Sequence, residues 1–417
     1  MPNEGHSSST PAVAADGERP LKILIAGDTF TPNVNGAAKF TEHLASGMAA
    51  RGHDVHVMVP AASRRHGTWT EQYDGQNITA HRLRSHRWWA HDWLRYAPPW
   101  RIRSESQRVV DEVRPDVVHF QSAVIIGRGV AIEAEKRGIR IIGTNHLMIE
   151  NLVDHSLLPQ ALRGLAARIW WNDARSTLGR ATAITTPTRR AADFLEANGG
   201  ISDVLAISCG IRTSDYAFDF SSREAKRILF VGRVTGEKKI DVLLRAMTLL
   251  PRDVQLDIVG GGDQKKNLQS LAKQLGLADR VTFHGYLSDQ ELRRMYTRAS
   301  VFAMPSIAEL QSIATMEAMA SGQPVVAADA MALPHLVHDG ENGFLFEPNN
   351  ERDLADKLAK ALSLSDAERE EMGRTGLDLV RMHDIDRTLE LFERLYRGAS
   401  VKDVARDSVN EQDHSLD

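Results

Sequence analysis

Two carboxylates, Glu309 and Glu317, flank a strand-to-helix junction in the stretch Pro305-Ser306-Ile307-Ala308-Glu309 through Glu317-Ala318-Met319-Ala320-Ser321-Gly322-Gln323-Pro324-Val325-Val326. Residues 301–304 form a short apolar run that reads as a buried strand. Residues 313–320 are helix formers ahead of a Gly322/Pro324 stop. The turn between them faces a helix N-terminus, where unpaired backbone N–H groups and the positive dipole end favour an anion, with Ser312 as N-cap. A diphosphate suits such a cradle. Glu309 precedes the helix and Glu317 lies about five residues into it, roughly 7.5 Å along the axis. That separation fits two hydroxyl clusters on one ligand, a sugar on one side of a diphosphate and a ribose on the other. An isolated pair of this spacing also fits two solvated helix-end charges, so the rest of the chain must decide.

Phe230-Val231-Gly232-Arg233 ends another apolar strand, and Lys238 follows in a loop with Gly236. Cations at the C-terminal end of a strand sit where open α/β sheets bind anions. Arg grips a phosphate through two donors and Lys acts as a point charge, so together they could neutralise a leaving diphosphate. Gly260-Gly261-Gly262-Asp263 closes a further strand and gives the backbone freedom for a tight turn or a close approach. Gly36, after Asn35 at the start of the first helix, offers the same backbone access. His146, in Thr144-Asn145-His146 after the strand 139–143, is placed to hold a sugar hydroxyl or steady a developing oxocarbenium ion.

The elements that must position these residues are two successive α/β patterns. Strands are expected at 21–26, 55–59, 116–120, 139–143 and 181–185, with helices between. A second series follows at 227–231, 254–259, 281–284, 301–304 and 325–327. The expected organisation is a disordered arm at 1–20, an N-terminal α/β domain at 21–212, a second α/β domain at 213–385, a last helix at 386–398 and a disordered tail at 399–417. Both domains read as doubly wound, Rossmann-like sheets facing across a cleft. A length of 417 residues suits two cores. The formal net charge of -4 gives no general case for nucleic acid, and a single cysteine, Cys209, excludes a disulfide framework and fits a reducing compartment. No run reaches the roughly 18 apolar residues of a membrane span, and no signal peptide is recognised, so a cytoplasmic protein is expected.

Residues 81–108 break with this ordinary composition. They hold seven arginines, the tryptophans Trp88, Trp89, Trp93 and Trp100, and only two acids, Asp92 and Glu105. Arg with Trp is the pairing that settles at an anionic bilayer interface. Trp88, Trp89, Trp93, Arg95, Arg101 and Arg103 are therefore the candidate membrane and acceptor residues. Residues 157–180, with Leu162, Leu165, Trp170 and Trp171 among Arg163, Arg168, Arg175 and Arg180, are a second candidate. Aromatics in the core and arginines on a solvated face would give the same composition.

Taken together, Gly232-Arg233-x4-Lys238, the run from Pro305 and Asn342-Gly343-Phe344-Leu345-Phe346-Glu347-Pro348 resemble the retaining glycosyltransferases of family 4, which have the GT-B fold. The match covers about residues 21 to 398, and it implies that 21–212 binds the acceptor, that 213–385 binds the nucleotide sugar and that the helix 386–398 crosses back to the N-terminal domain. The resemblance implies that Arg233 and Lys238 contact the donor diphosphate, Glu309 the transferred sugar and Glu317 the ribose. It further implies that the amides of Leu310, Gln311, Ser312, Ile313 and Gly36 hold phosphate. His146 would lie near the reacting sugar, and residues around Phe283 to Tyr286, Gly285 included, would bracket the base. Two departures stand out: Leu310-Gln311-Ser312 replaces the common Gly-Phe-Gly, and Lys239 replaces a glycine. The activity implied is transfer, with retention, of a hexose from a nucleotide diphosphate sugar (UDP-glucose, UDP-glucuronate or GDP-mannose). The expected acceptor is a membrane lipid such as diacylglycerol, a glycosyl-diacylglycerol or a phosphoinositide, reached from the cytoplasmic face. A soluble or polysaccharide acceptor is the alternative within the family, and a sugar-nucleotide epimerase the alternative of another class. The first βα loop, residues 27–36, lacks the G-x-G-x-x-G of a nicotinamide enzyme. The only D-x-D, Asp384-Ile385-Asp386, lies outside these motifs, so no metal, no further cofactor and no nucleic-acid partner are expected.

Overall fold

The computed structural model describes residues 19–33, 35–88, 91–148, 160–216 and 226–408, without the side chains of 88, 91–94 and 161. The N-terminal strands are β1 (Lys22–Ala26), β2 (Asp54–Pro60), β3 (Gly67–Tyr73), β4 (Gln76–Leu83), β5 (His86–Trp88), β6 (His91–Tyr96), β7 (Val117–Phe120), β8 (Arg140–Thr144), β9 (Ala183–Thr186) and β10 (Leu205–Ala206). Eight of them form one sheet in the order β10-β9-β8-β7-β1-β2-β4-β3, and β5 and β6 pair separately as a hairpin. All neighbours in the large sheet run parallel except β3, which lies antiparallel on the edge. β1 and β7 are buried almost throughout because helices cover both faces, as a parallel sheet requires.

The second sheet holds β11 (Arg227–Val231), β12 (Gln255–Val259), β13 (Val281–Gly285), β14 (Val301–Met304), β15 (Val325–Ala328) and β16 (Gly343–Phe346), in the order β13-β12-β11-β14-β15-β16, all parallel. The expected pair of doubly wound α/β sheets is therefore present. In each sheet the chain reverses its direction of travel once, between β1 and β7 in the first and between β11 and β14 in the second. Loops leaving the carboxyl ends of strands on either side of a reversal diverge and open a crevice. Those ends carry the loops with Gly36 and Gln121 in one sheet, and Arg233 and Glu309 in the other.

Several elements had no counterpart in the sequence reading. β3, β4, β16 and the hairpin were not expected, and residues 81–83, 86–88 and 91–96 turn out to be strand. The disordered tail expected from 399 is not disordered at its start. Val401–Ala405 forms a helical turn with Val404 buried, and the Ser408 hydroxyl donates to the Ala206 carbonyl, so 399–408 is packed structure. Residues 1–18 and 409–417 lie outside the described set.

The chain passes between domains twice. Residues 207–212 lead out, and 382–385 lead back into the helix Ile385–Arg397. The two passages pair with each other: Ile211 N–H donates to His383 O at 3.0 Å, and Ile385 N–H to Ile211 O at 2.9 Å. Gly210 makes this possible. Its φ is +66°, and a β-carbon there would stand 2.8 Å from Ile385 Cα. The returning helix then buries Leu389, Phe392, Leu395 and Tyr396 in the core of the first domain.

Candidate active site

The Glu309 loop leaves β14 and passes into the helix Ile313–Ala320. Ser312 caps this helix, its hydroxyl accepting from Thr315 N–H. Opposite stands the helix Gly36–Ala50, capped by Asn35, whose side chain accepts from Ala38 N–H at 2.9 Å. The two helix starts meet. A β-carbon on Gly36 would lie 3.7 Å from the Ile313 side chain. Two sets of first-turn N–H groups and two positive dipole ends thus converge on one place, a strong setting for phosphate.

Around this point the structure gathers most of the residues singled out from sequence. Lys238, in the short helical turn Gly236–Lys238, makes an ion pair with Glu309, and both are almost fully buried. Arg233 pairs with Glu237 at 3.1 Å. On the facing wall, His146 Nε2–H donates to the Gln121 carbonyl oxygen at 3.0 Å, and its ring packs 5.0 Å from that of Phe40. Burial pulls His146 down to about 3, so near neutral pH it is an uncharged imidazole, its one N–H committed to Gln121 and its Nδ1 able to accept a hydrogen bond. Its backbone is fixed from behind. Thr144 Oγ1 lies 2.6 Å from both His119 Nε2 and Thr185 Oγ1, and His119 Nδ1 lies 2.6 Å from the Tyr396 hydroxyl on the returning helix.

The geometry adds partners that the sequence did not show. Glu317 is buried with both oxygens occupied. Tyr216 donates to one at 2.7 Å and Tyr296 to the other at 2.8 Å, while burial pushes the carboxyl up. The side chain of Gln311 turns away from the cradle, its oxygen accepting from Cys209 N–H at 2.8 Å and its amide donating to Ser208 at 3.0 Å. Gln311 thus ties the loop to the inter-domain passage, and the Leu310 carbonyl accepts from the Thr188 hydroxyl at 2.9 Å. The triple glycine is a packing device. β-Carbons at Gly260 and Gly262 would strike Gly232 O and Val234 O, and Gly261 carries the ring of Tyr286. Tyr286, 57% exposed next to Gly285, is left as an open aromatic face at the end of β13.

Arg95 is not a surface cation available to a membrane. Its guanidinium donates to the carbonyls of Ala61 at 3.0 Å and Ser85 at 3.0 Å, and to the Ser85 hydroxyl at 2.8 Å, pinning the hairpin to the sheet. Arg101 and Arg103 are exposed on the helix Pro99–Val113, Arg101 reaching Glu105 at 3.5 Å. The side chains of Trp88, Trp89 and Trp93 lie outside the described residues. Asp384 of the D-x-D caps the returning helix and accepts from the Thr213 hydroxyl at 2.7 Å, a structural role. Gln121, Tyr216, Tyr296 and Thr188 escaped the sequence reading. Gln121 alone had a signal, since it directly follows a central strand as His146 nearly does.

Residues 34–215 match the family profile Glycosyltransferase Family 4, and residues 216–378 match Glycosyl transferases group 1, so the two adjoin and cover both sheets apart from β1. The chain belongs to the family 4 glycosyltransferases. This glycosyltransferase is 28% identical to a GDP-mannose-dependent alpha-mannosyltransferase of Corynebacterium glutamicum over 79% of the chain and 77% of that protein. It is 27% identical to the sulfoquinovosyl transferase of Arabidopsis thaliana over 62% and 52%. It is 40% identical to a D-inositol 3-phosphate glycosyltransferase of Mycolicibacterium vanbaalenii over 40% of each. The matching stretches thus span only about two fifths to one half of the last two relatives. Among solved structures, sucrose-phosphate synthase of Thermosynechococcus elongatus superimposes with a TM-score of 0.75 at 21% identity, covering 90% of this chain and 98% of that one. An Anabaena protein, HepE, solved with UDP and glucose, gives 0.72 at 17%, covering 91% and 100%. These two likenesses establish the GT-B fold for the glycosyltransferase.

Proposed function

We propose that this glycosyltransferase moves a hexose, with retention at the anomeric carbon, from a nucleotide diphosphate sugar to a membrane-lipid acceptor. UDP-glucose, UDP-glucuronate and GDP-mannose are the donor candidates, and a diacylglycerol, a glycosyl-diacylglycerol or a phosphoinositide the acceptor. The observation that carries the donor class is the meeting of two capped helix starts at Gly36 and Ile313, with Arg233, Lys238 and Glu309 on one wall and His146 on the other. The diphosphate lies across the helix starts and takes Lys238 and Arg233 as counter-charges, which releases Glu309 toward the sugar. Tyr286 supplies a stacking face for the base, and Glu317 receives the ribose hydroxyls.

Retention follows by a same-face displacement. The bond from the anomeric carbon to the diphosphate oxygen breaks, the acceptor oxygen bonds to the same face, and the leaving phosphate oxygen takes the acceptor's proton. A double displacement would need a second carboxylate roughly 5 Å from the first on the reacting sugar, and Glu309 is the carboxylate placed for the sugar. Charge on the leaving diphosphate is met by Lys238, Arg233 and the helix starts, so no metal is required, and chelators leave activity intact.

A thermal-shift screen of the three nucleotide sugars tests the donor. The true donor at 100 times its dissociation constant stabilises by about 2.7 kcal/mol, and no shift with any of them overturns the reading. Transfer of labelled sugar to lipid in vesicles, compared with soluble polysaccharide, tests the acceptor. Donor consumed without any acceptor would favour an epimerase.

A further inference from the structure

Three of the helices on one face of the first sheet have unequal reach. Gly129 on Ile126–Lys136 packs against Ile102 and Ser106 of Pro99–Val113, and Arg137 pairs with Asp111, so these two helices run parallel with their starts level. Arg128 pairs with Asp173 at 2.8 Å and Arg180 with Glu135, which aligns only the last turns of the helix Gln160–Leu178 with its neighbour. That register sets residue 171 level with Ile126, so residues 160–170 project past the neighbouring helix start by about 16 Å. Helix starts lie at the carboxyl edge of the strands, so the projection is at the same edge as His146 and Gly36.

On the projection, Leu162, Leu165 and Ile169 are 49%, 58% and 56% exposed. Their spacing of three and four places them on one helix face. Trp100, 77% exposed, stands at the start of the helix Pro99–Val113 on the same edge. Along the described part of the projection the charge has one sign. Residues 160–172 contain Arg163 and Arg168 and no acid, Arg168 is exposed, and Arg101 and Arg103 follow Trp100. By contrast Trp171 packs on Phe194, Arg175 donates to Gly199 O and Arg180 holds Glu135, so the rest of this helix is committed to the fold.

We propose that the projecting end of the helix Gln160–Leu178, through Leu162, Leu165 and Ile169 and aided by Arg168 and Trp100, is the surface that lies in the interface of an anionic bilayer. The inference rests on the acceptor being a membrane lipid. It moves the contact away from Arg95, which the fold uses internally. An apolar stripe bordered by arginine, with no acid among residues 160–172, has the make-up of an interfacial helix. Lying at the carboxyl edge, it would hold the bilayer against the mouth of the cleft.

Co-sedimentation of the full chain with vesicles of phosphatidylcholine, with and without phosphatidylglycerol, tests this. Wild type should pellet with the anionic vesicles, and Leu165→Gln/Ile169→Gln should lower the partition coefficient about ten-fold or more. Because both side chains are exposed, the melting temperature and the shift given by the nucleotide sugar should not change. Arg168→Glu should weaken binding to anionic vesicles and leave the weak binding to neutral ones unaltered. Unchanged partition of the double variant overturns the proposal, as does wild type that never pellets. A wild-type dimer that the double variant splits would show that a second copy covers the stripe, also overturning it. Loss of the nucleotide-sugar shift in wild type would instead strike the donor reading and leave the vesicle result standing.

Discussion

Lys238 and Glu309 neutralise each other where neither reaches bulk water, at 9% and 8% exposure. Glu309→Gln therefore does two things. It removes the carboxylate facing the sugar, with an expected loss of about 10²–10³ in kcat, and it leaves a buried ammonium without its counter-charge, costing about 3–5 kcal/mol of stability. Lys238→Met/Glu309→Gln separates them: the melting temperature should recover while transfer stays lost. Wild-type turnover in Glu309→Gln would refute its role. Tyr216 poses a different question. Its hydroxyl occupies an oxygen of Glu317 that a ribose would also claim, and Tyr216→Phe keeps the ring contacts with Tyr296 and Arg293. Nucleotide-sugar affinity measured by calorimetry should rise about five-fold, the equivalent of one ordinary hydrogen bond. A fall would mean that Tyr216 orients Glu317 instead.

At the level of elements, the paired passage between domains depends on Gly210. Gly210→Ala should cost about 1–3 kcal/mol, because the left-handed backbone and the contact with Ile385 Cα both resist it. Gly52→Ala has a comparable φ of +89° and open space around it, so its cost in the same thermal melts should be smaller. The core strands were legible in the sequence because they are continuous apolar runs, and the Glu309 helix because its cap and stop are local signals. β4 was not legible. His81 and Arg82 are buried in it, His81 bonded to Thr68 and His56, and Arg82 paired with Glu71 and donating to Thr31 O. Periodicity cannot reveal burial that depends on partners elsewhere in the chain. The anchoring of the Gln311 side chain on Ser208 and Cys209 was not legible for a similar reason: the sequence reading concerned its backbone amide, and the destination of its side chain is a matter of tertiary structure.

Across the whole molecule, burial draws His119 and His146 down to about 3 and His43 and His81 to about 4. Their folded-state values lie below the unfolded value, so the stability they confer is intact above about pH 6.5 and is lost as pH falls toward 4. Each contributes a slope of up to about 1.4 kcal/mol per pH unit in that window. His119→Gln should flatten the fall by about that amount in urea titrations at successive pH values; an unaltered slope would mean His119 does not differ between the two states. The domains also depend on each other in time. Leu389, Phe392, Leu395, Tyr396 and Val404, from the last stretch of the chain, complete a core whose first members are Leu21, Ile23 and Ile25. At a synthesis rate of about 5–20 residues per second, the first domain waits on the order of ten to forty seconds after Ala206 emerges for the helix that seals it. The second domain needs no such helix, so it should close first on the ribosome, and the earlier half of the chain should be the client that holdase chaperones meet.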